Sequence, residues 1–151
     1  MHESTPASDP FEFLKAQAIV IRMYSHYQTS GGTVVINNST EKQNYIPNRT
    51  IHSRAEDAFQ QTEGILLTYQ DKIINAMYSS DHGLSPPAPN HTKGANLAYI
   101  KSVYDPAIGV VSTPLGHGWG MAQIAAKHWA EGDSQGVAFP QWNYLQILVH
   151  Y

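Results

Sequence analysis

The stretch Phe11-Glu-Phe-Leu-Lys-Ala-Gln-Ala-Ile-Val-Ile-Arg-Met-Tyr24 decides the architecture of this chain. It follows Asp9 and Pro10, a pair typical of a helix start, because Asp is a good N-cap and Pro needs no hydrogen bond at the first helical position. Glu12, three residues after Asp9, completes the pattern of a capping box. We therefore predict a helix that begins here and continues to about Gln28.

The two sides of this predicted helix differ in polarity. With the periodicity of an α-helix, one stripe consists of Glu12, Lys15, Ile19, Arg22 and His26, and apolar side chains cover most of the remainder. Gln17 lies inside the apolar arc, where an unpaired amide costs about 1–3 kcal/mol. We therefore expect a central, mostly buried helix in which Gln17 has a specific hydrogen-bond partner.

Turn signals and periodicity predict the other elements. They are a strand at Thr33–Ile36, a helix that begins at Ser53 and ends at Gly64, a hairpin of Gly64–Tyr69 with Lys72–Tyr78, a strand at Tyr99–Val103, a helix from Gly118 to about Ala130, and a final helix from Pro140. Residues 81–96 carry three Pro and two Gly without periodicity, which is typical of a long surface loop. The fold class expected for residues 1–151 is a single α+β domain. In it a long N-terminal helix packs with a small antiparallel β-sheet and two C-terminal helices, and residues 1–9 are flexible.

Composition excludes several classes of partner and site. Lys+Arg 9 against Asp+Glu 12 gives a net charge of -3 without any basic run, so the chain lacks the electrostatic footprint of a nucleic-acid-binding protein. With no Cys there is no disulfide, thiolate metal site or cysteine nucleophile. No apolar run reaches the roughly 20 residues of a transmembrane helix, and the first dozen residues lack the order of a secretory signal. We therefore expect a cytosolic protein or a mature or trimmed extracytoplasmic one.

A second informative stretch is Gly116-His-Gly-Trp-Gly-Met-Ala-Gln123. Its glycines allow positive φ and a close approach of the backbone to a ligand. His117 is expected at the N-terminus of the following helix, where a neutral imidazole donates to a ligand. Gln123 either supports the same pocket or caps the helix. The structural alternative is a glycine-rich turn with an ordinary exposed histidine.

These two stretches resemble the paired signatures of the stage II sporulation protein D and amidase-enhancer family, EALKAQAxAARTY and GHGxGMSQ. The segments Tyr78–Gly83, Tyr99–Val103 and Trp142–Tyr151 are also similar to those of the family. The resemblance implies an extracytoplasmic lytic transglycosylase that cleaves the MurNAc–GlcNAc bond in peptide-stripped glycan strands of peptidoglycan. Such an enzyme uses one carboxyl group, first as acid and then as base.

The carboxyl group implied by the resemblance is either displaced in this chain or replaced by Ser4. The family carries a Glu-x-Pro motif whose Glu is its acid/base, and a gapless alignment places Ser4 at that Glu and Pro6 at the Pro. Glu3 lies next to the aligned position, and Glu12 lies at the helix start. The catalytic candidates are therefore Glu3 and Glu12, although the sequence around Glu12 also fits a helix cap.

The resemblance further implies a glycan groove between the first helix, the end of the hairpin strand and the glycine-rich stretch. The candidate substrate-binding residues are Lys15, Gln17, Arg22, Ser79, Ser80, His117, Gly118, Trp119 and Gln123. Structural alternatives compete for several of them. The serine pair also fits a turn, and Arg22 also fits an ion pair with a surface acid.

No metal or other cofactor is expected. The metal-ligand positions of many relatives become Asn37, Glu41 and Lys42 here, a set that does not suit zinc. His82 and His91 form no recognised metal-binding pattern. Two functions remain open, a lytic transglycosylase and a non-catalytic glycan-binding module that recruits or stimulates a cell-wall amidase. A third reading is an unrelated soluble domain whose short motifs coincide with those of the family.

Overall fold

The computed structural model describes residues 6–36, 51–80, 97–101, 103, 105–108, 117–134 and 136–151. Its helices are α1 (Phe11–Gln28), α2 (Ser53–Gln61), α3 (Gln123–Glu131) and α4 (Tyr144–His150). Its strands are β1 (Thr68–Tyr69), β2 (Lys72–Ile73), β3 (Tyr78–Ser79), β4 (Met121–Ala122), β5 (Asp133–Ser134) and β6 (Val137–Ala138). A short 3-10 turn spans Pro106–Ile108.

Helix α1 is the central element of the fold. It packs against α2, α3 and α4, and it contributes the fully buried Ile19 and Met23 to a core that also contains Met121 and Ile147. The buried face follows the apolar arc of the sequence, because those side chains recur at the helical period. The predicted long, mostly buried N-terminal helix is therefore confirmed, as is the α+β class. Among the described residues, no helix is both long enough and apolar enough to span a membrane.

The predicted capping box of α1 is wrong. Pro10 is the N-cap, and no side chain bonds to the helix start. The Asp9 carboxylate instead pairs with Lys127 Nζ at 3.1 Å, and the Glu12 carboxylate binds Lys15 and the backbone of Tyr144. Both carboxylates thus bind groups outside the helix start, and a local sequence pattern does not predict such contacts.

The predicted hairpin is confirmed, although its ladder is short. Strands β1 and β2 pair antiparallel, with Thr68 opposite Ile73 and Tyr69 opposite Lys72. The two connecting residues, Gln70 and Asp71, have φ of 50° and 60°. Positive φ at both central positions is the conformation of the tight turns that match the twist of a hairpin.

Strands β3 and β4 pair parallel, whereas the sequence predicted an antiparallel sheet. Tyr78 lies opposite Met121 and Ser79 opposite Ala122. Parallel neighbours need a long connection, and here the chain returns only after residue 120. The described strands form separate two-stranded sheets, of which β1–β2 and β5–β6 are antiparallel.

Close backbone contact fixes this parallel pair. Gly120 has φ of +69°, and a Cβ atom at this position would lie 1.9 Å from the carbonyl oxygen of Met77. The Met121 N–H donates to the same oxygen at 3.0 Å. Glycine is therefore required here by a neighbouring backbone.

Two of the predicted strands are not formed by the residues that the structure describes at those positions. Thr33–Ile36 is irregular, with Val35 94% exposed, because its β-branched side chains have no partner strand in the described part of the chain. Of Tyr99–Val103, residue 102 is not described and the others are not extended into a ladder. The predicted loop at 81–96 lies outside the described residues.

The C-terminal helices are confirmed, with corrected starts. Helix α3 begins at Gln123, because β4 occupies the two residues before it, and it ends at Gly132, whose φ is 76°. Helix α4 begins after Asn143, which forms a capping box with Gln146, so Pro140 is not in its first turn.

Helix α2 is confirmed, and it holds the beginning of the described chain. His52 caps it by accepting from the Arg54 N–H, in place of the predicted Ser53 cap. The Arg54 guanidinium donates to the carbonyl oxygens of Pro6, Ala7 and Asp9 at 2.7, 2.9 and 2.9 Å. One side chain therefore positions the segment that enters α1.

A buried carboxylate organises the C-terminal half. Asp105 is 4% exposed and accepts from Trp129 Nε1 and Ala107 N, each at 3.0 Å, and from the Tyr151 hydroxyl. Burial raises the pKa of Asp105, but the nearby His150, whose Nε2 lies 3.5 Å from Oδ2, and the hydrogen bonds from Tyr151 and Ala107 outweigh it and hold the pKa below its ordinary value. The carboxylate thus joins the 3-10 turn, α3 and the end of the chain.

Candidate functional site

Three segments that lie far apart in the sequence meet beside the middle of α1. The β3–β4 ladder places Ser79 next to Ala122, and the Ile124 N–H donates to the Ser80 carbonyl at 3.1 Å. Gln123 at the start of α3 donates from Nε2 to Gln17 Oε1 of α1 at 3.2 Å. We call Gln17, Ser79, Ser80 and residues 117–123 the motif junction.

The expected hydrogen-bond partner of Gln17 is Gln123. Gln17 is 5% exposed within the apolar arc of α1, and its amide oxygen is satisfied by a side chain 106 positions further along the chain. Leaving that oxygen unpaired would cost about 1–3 kcal/mol. Gln123 therefore does not cap α3, and it contacts one of the predicted pocket residues. The hydrogen bond between the two glutamines connects the two sequence signatures.

The serine pair belongs to the motif junction and is buried. Ser79 and Ser80 are 5% and 9% exposed. The Ser79 hydroxyl has no hydrogen-bond partner among the described residues. Because buried hydroxyls nearly always have a partner, this group is a candidate contact for a bound molecule.

His117 adopts a local turn that fixes its tautomer. Its Nδ1 accepts from the Trp119 N–H at 3.1 Å, so the neutral ring carries its proton on Nε2. Desolvation by the surrounding chain lowers the pKa of His117, although part of the ring is exposed. At neutral pH the ring is therefore uncharged, with an N–H that can donate to a hydroxyl oxygen.

The surroundings of His117 confirm the positive-φ prediction and correct the helix prediction. Gly118 and Gly120 have φ of 74° and 69°, whereas Gly116 lies outside the described residues. His117 is not at a helix N-terminus, because β4 separates it from α3. The half-buried Trp119 ring lies 5.7 Å from the imidazole, centroid to centroid, at 47°.

Glu12 and Lys15 form a separate cluster at the start of α1. Glu12 Oε1 binds Lys15 Nζ at 2.9 Å, and Glu12 Oε2 accepts from the Tyr144 N–H at 2.9 Å, which caps the first residue of α4. The Lys15 ammonium lies 5.0 and 5.5 Å from the ring centroids of Phe11 and Tyr144. Burial raises the pKa of Glu12, but Lys15 and Tyr144 together outweigh it, so the net pKa is lowered.

Arg22 binds the C-terminal end of α2. Its Nη1 donates to the Thr62 carbonyl at 2.6 Å and its Nη2 to the Phe59 carbonyl at 2.9 Å. The guanidinium carbon lies 4.2 Å from the Phe59 ring centroid. Burial lowers the pKa of Arg22, and Glu63 opposes this effect. Arg22 was predicted to bind substrate, with an ion pair to a surface acid as the structural alternative, and the structure instead shows mainly backbone contacts that satisfy the end of a helix.

The structure therefore divides the predicted site residues between two places. Gln17, Ser79, Ser80, His117, Gly118, Trp119 and Gln123 belong to the motif junction, by contact or by chain position. Glu12, Lys15 and Arg22 lie on the polar stripe, which contacts α4 and α2. On an α-helix, positions 12 and 17 point about 140° apart, so Glu12 and Gln17 face different neighbours.

Several predicted residues lie outside the described part of the chain. They are Glu3, Ser4, Asn37, Glu41, Lys42, His82 and His91. Sequence reasoning missed the Arg54 clamp on residues 6–9 and the Lys127 partner of Asp9. The only local signal was the Asp9-Pro10 pair, which indicated a cap and not a long-range ion pair.

Comparisons with known proteins agree with the two signatures. The sequence profile of the family described as stage II sporulation protein matches residues 1–69, a range that contains α1, α2 and β1. The amidase enhancer of Bacillus subtilis (strain 168) is 36% identical to this chain over 107 residues, which is 69% of this chain and 15% of that protein. The chain thus corresponds to a small part of this curated relative. No solved structure matches.

The profile match includes the α1 signature, and the contacts of α1 with residues 117–123 connect it to the second signature. A chance coincidence of short motifs would not explain both a family match and their contact in the fold. The chain belongs to the stage II sporulation protein D and amidase-enhancer family.

Proposed function

We propose that the motif junction binds the glycan strands of peptidoglycan and that the protein cleaves peptide-stripped MurNAc–GlcNAc strands as a lytic transglycosylase. The observation that carries this proposal is the hydrogen bond between Gln17 and Gln123. This bond joins two signatures that are 106 positions apart in the sequence. Nearby, at the end of β3, the buried Ser79 hydroxyl has no hydrogen-bond partner among the described residues. Family membership supports a role at the cell wall and a location outside the cytoplasm.

The chemistry of the motif junction suits the hydroxyl groups of a sugar chain. The exposed His117 provides its Nε2–H as a hydrogen-bond donor, and the Trp119 ring provides a flat apolar face. None of these groups carries a formal charge at neutral pH. A ligand rich in hydroxyl groups matches such a surface, since each hydroxyl both donates and accepts.

The catalytic carboxyl group is assigned to Glu3 or Glu12. A lytic transglycosylase requires a group that is protonated when it meets the glycosidic oxygen. The lowered pKa of Glu12 and the use of both its oxygens disfavour it in the described conformation. Glu3 is three residues before Pro6 in the sequence, and Arg54 binds the Pro6 carbonyl. We therefore prefer Glu3 over Glu12 as the catalytic acid.

Incubation with peptide-free glycan strands tests the activity. We expect 1,6-anhydro-MurNAc ends, detected by mass spectrometry, from the wild type and from Glu56→Gln, a matched control at an exposed carboxylate of α2. Glu3→Gln should remove the product, whereas Glu12→Gln should retain it. Undiminished product from both variants would rule out both candidate acids. If the cleaved strands ended in ordinary reducing MurNAc without an anhydro ring, the enzyme would be a hydrolase and not a lytic transglycosylase.

The alternative is a non-catalytic module that binds glycan and recruits or stimulates a cell-wall amidase. It is favoured by the contacts that occupy Glu12 and by Ser4 at the position of the family acid. The name of the Bacillus relative fits such a partner. Co-sedimentation with glycan without any anhydro product, together with faster peptide release by an added amidase, would establish this alternative over the enzyme.

A further inference from the structure

A cavity of about 510 Å³ adjoins the motif junction and shares two of its residues. Its lining includes Gly120 and Met121 of the junction but none of Gln17, Ser79, His117 or Gln123. Residues from α1, from the hairpin and the chain after it, from positions 98–101 and 103, and from the end of the chain complete the wall. Small-molecule sites have volumes of roughly 300–1,000 Å³ and mostly apolar walls, so this cavity has the size and position of a second site.

The cavity wall is apolar and aromatic. Ile74, Met77 and Leu148 contribute aliphatic surface, and the rings of Tyr69 and Tyr99 lie 5.8 Å apart, centroid to centroid. A sugar would leave hydroxyl groups unpaired against such a wall, at about 1–3 kcal/mol each. The lining therefore disfavours the carbohydrate that we assign to the motif junction.

Two of the tyrosine hydroxyls in the wall already have partners. The Tyr99 hydroxyl accepts from the Asn75 N–H at 3.1 Å, and the Tyr151 hydroxyl donates to Asp105. These contacts hold both rings in place and direct their polar ends to the protein. The cavity is consequently preformed on this side.

The described lining residues include one lysine and no arginine, and His150 also lines the cavity. Lys101 lines the cavity and is exposed, and it forms no ion pair with any residue that the structure describes. No acidic side chain is present among the lining residues that the structure describes. An ammonium at the edge of an apolar cavity favours a ligand with one acidic group and an apolar body.

We propose that this cavity binds a small organic anion with an apolar or aromatic body, with Lys101 contacting its acidic group. This inference does not depend on the proposed function, because the junction residues assigned to the glycan do not form its wall. The apolar body contacts the ring pair and the aliphatic floor, while the acidic group stays at the exposed edge.

A matched pair of ligands tests the proposal on the full chain by isothermal titration calorimetry. The probes are 1-naphthylacetate and the uncharged 2-(1-naphthyl)ethanol. We expect the carboxylate to bind with Kd below about 1 mM and about three- to fivefold more tightly than the alcohol, the size of an exposed ion pair. Lys101→Gln should remove this preference and leave alcohol binding unchanged. Lys72→Gln, which neutralises a hairpin lysine outside the lining, should retain it.

Filling the cavity from its exposed edge gives a second readout. Thr68→Trp and, on another part of the wall, Ala98→Trp alter exposed lining residues, and circular dichroism would confirm their folding. Either folded variant should weaken both ligands about tenfold or more through steric exclusion. The proposal is overturned if the wild type binds neither probe, if it binds both equally, if Lys72→Gln acts like Lys101→Gln, or if both filling variants bind normally.

Discussion

Single residues in this protein are constrained by distant backbone more than by their sequence neighbours. Gly120 belongs to a glycine-rich signature that suggested a close approach to a ligand, yet the group that meets it is the carbonyl of Met77. Gln17 was predictable as a residue in need of a partner, because an amide in an apolar arc requires one. The identity of that partner was not predictable, since no local rule pairs residues 106 positions apart.

Gly120→Ala tests this backbone contact. The new Cβ would meet an oxygen at 1.9 Å and would adopt φ of +69°, so the β3–β4 ladder must open. We expect a loss of about 3 kcal/mol or more in the free energy of unfolding, measured by urea denaturation. Gly64→Ala is the control, because its φ is +74° but nothing lies within 4 Å of its Cβ position. It should cost only about 1 kcal/mol, and equal losses would contradict the steric argument.

At the scale of elements, local patterns predicted those that form from neighbouring residues. Helix α1, helix α2 and the hairpin follow from periodicity, breakers and turn residues, and all are present. The missed features depend on distant partners: β4 exists because β3 lies beside it, and its formation moves the start of α3. The cap assignment of α1 failed for the same reason, since Glu12 binds the Tyr144 N–H of α4 and Lys15 and does not cap its own helix.

Glu12→Gln tests the link between α1 and α4. The folded-state pKa of Glu12 is lowered, so its contribution is fully present above the ordinary pKa of a glutamate, about 4.3, and is lost as the pH falls through the folded value. We expect a deficit of about 0.5–1 kcal/mol at pH 7 for this partly exposed group. The deficit should shrink below pH 4.

Urea titrations of wild type and Glu12→Gln at several pH values provide the measurement. Asp57→Asn, at an exposed carboxylate of α2, is the control and should show no comparable pH dependence. A deficit that is constant from pH 7 to pH 3 would show that the carboxylate charge does not stabilise α4.

At the scale of the whole molecule, only part of the candidate site could be predicted from the sequence. The motif junction could be anticipated from two signatures, because both are chemically unusual for their settings. Its separation from Glu12 and Arg22 could not, because that depends on which helices cover each side of α1. The Asp105 cluster had no sequence signal, as its donors come from three separate segments.

Asp105→Ala tests whether this cluster holds the C-terminal half in place. The side chain is buried and hydrogen-bonded, so its removal leaves Trp129, Tyr151 and Ala107 N–H without their acceptor. We expect a loss of about 3–5 kcal/mol in thermal or urea unfolding. Asp133→Ala, which removes an exposed acceptor of the Gly136 N–H, should cost far less. A small loss in the free energy of unfolding from Asp105→Ala would show that this cluster does not hold the C-terminal half in place.

The parallel β3–β4 pair has a consequence for the order in which the chain folds. Its partners are separated by 43 positions, from Tyr78 to Met121, so the ladder closes a long loop and bears the corresponding entropy. The hairpin and α1 need no such closure and can form early, whereas non-local pairings are slow. During synthesis, β3 therefore has no partner strand until residue 121 has emerged, and the region around Ser79 cannot be completed before that point.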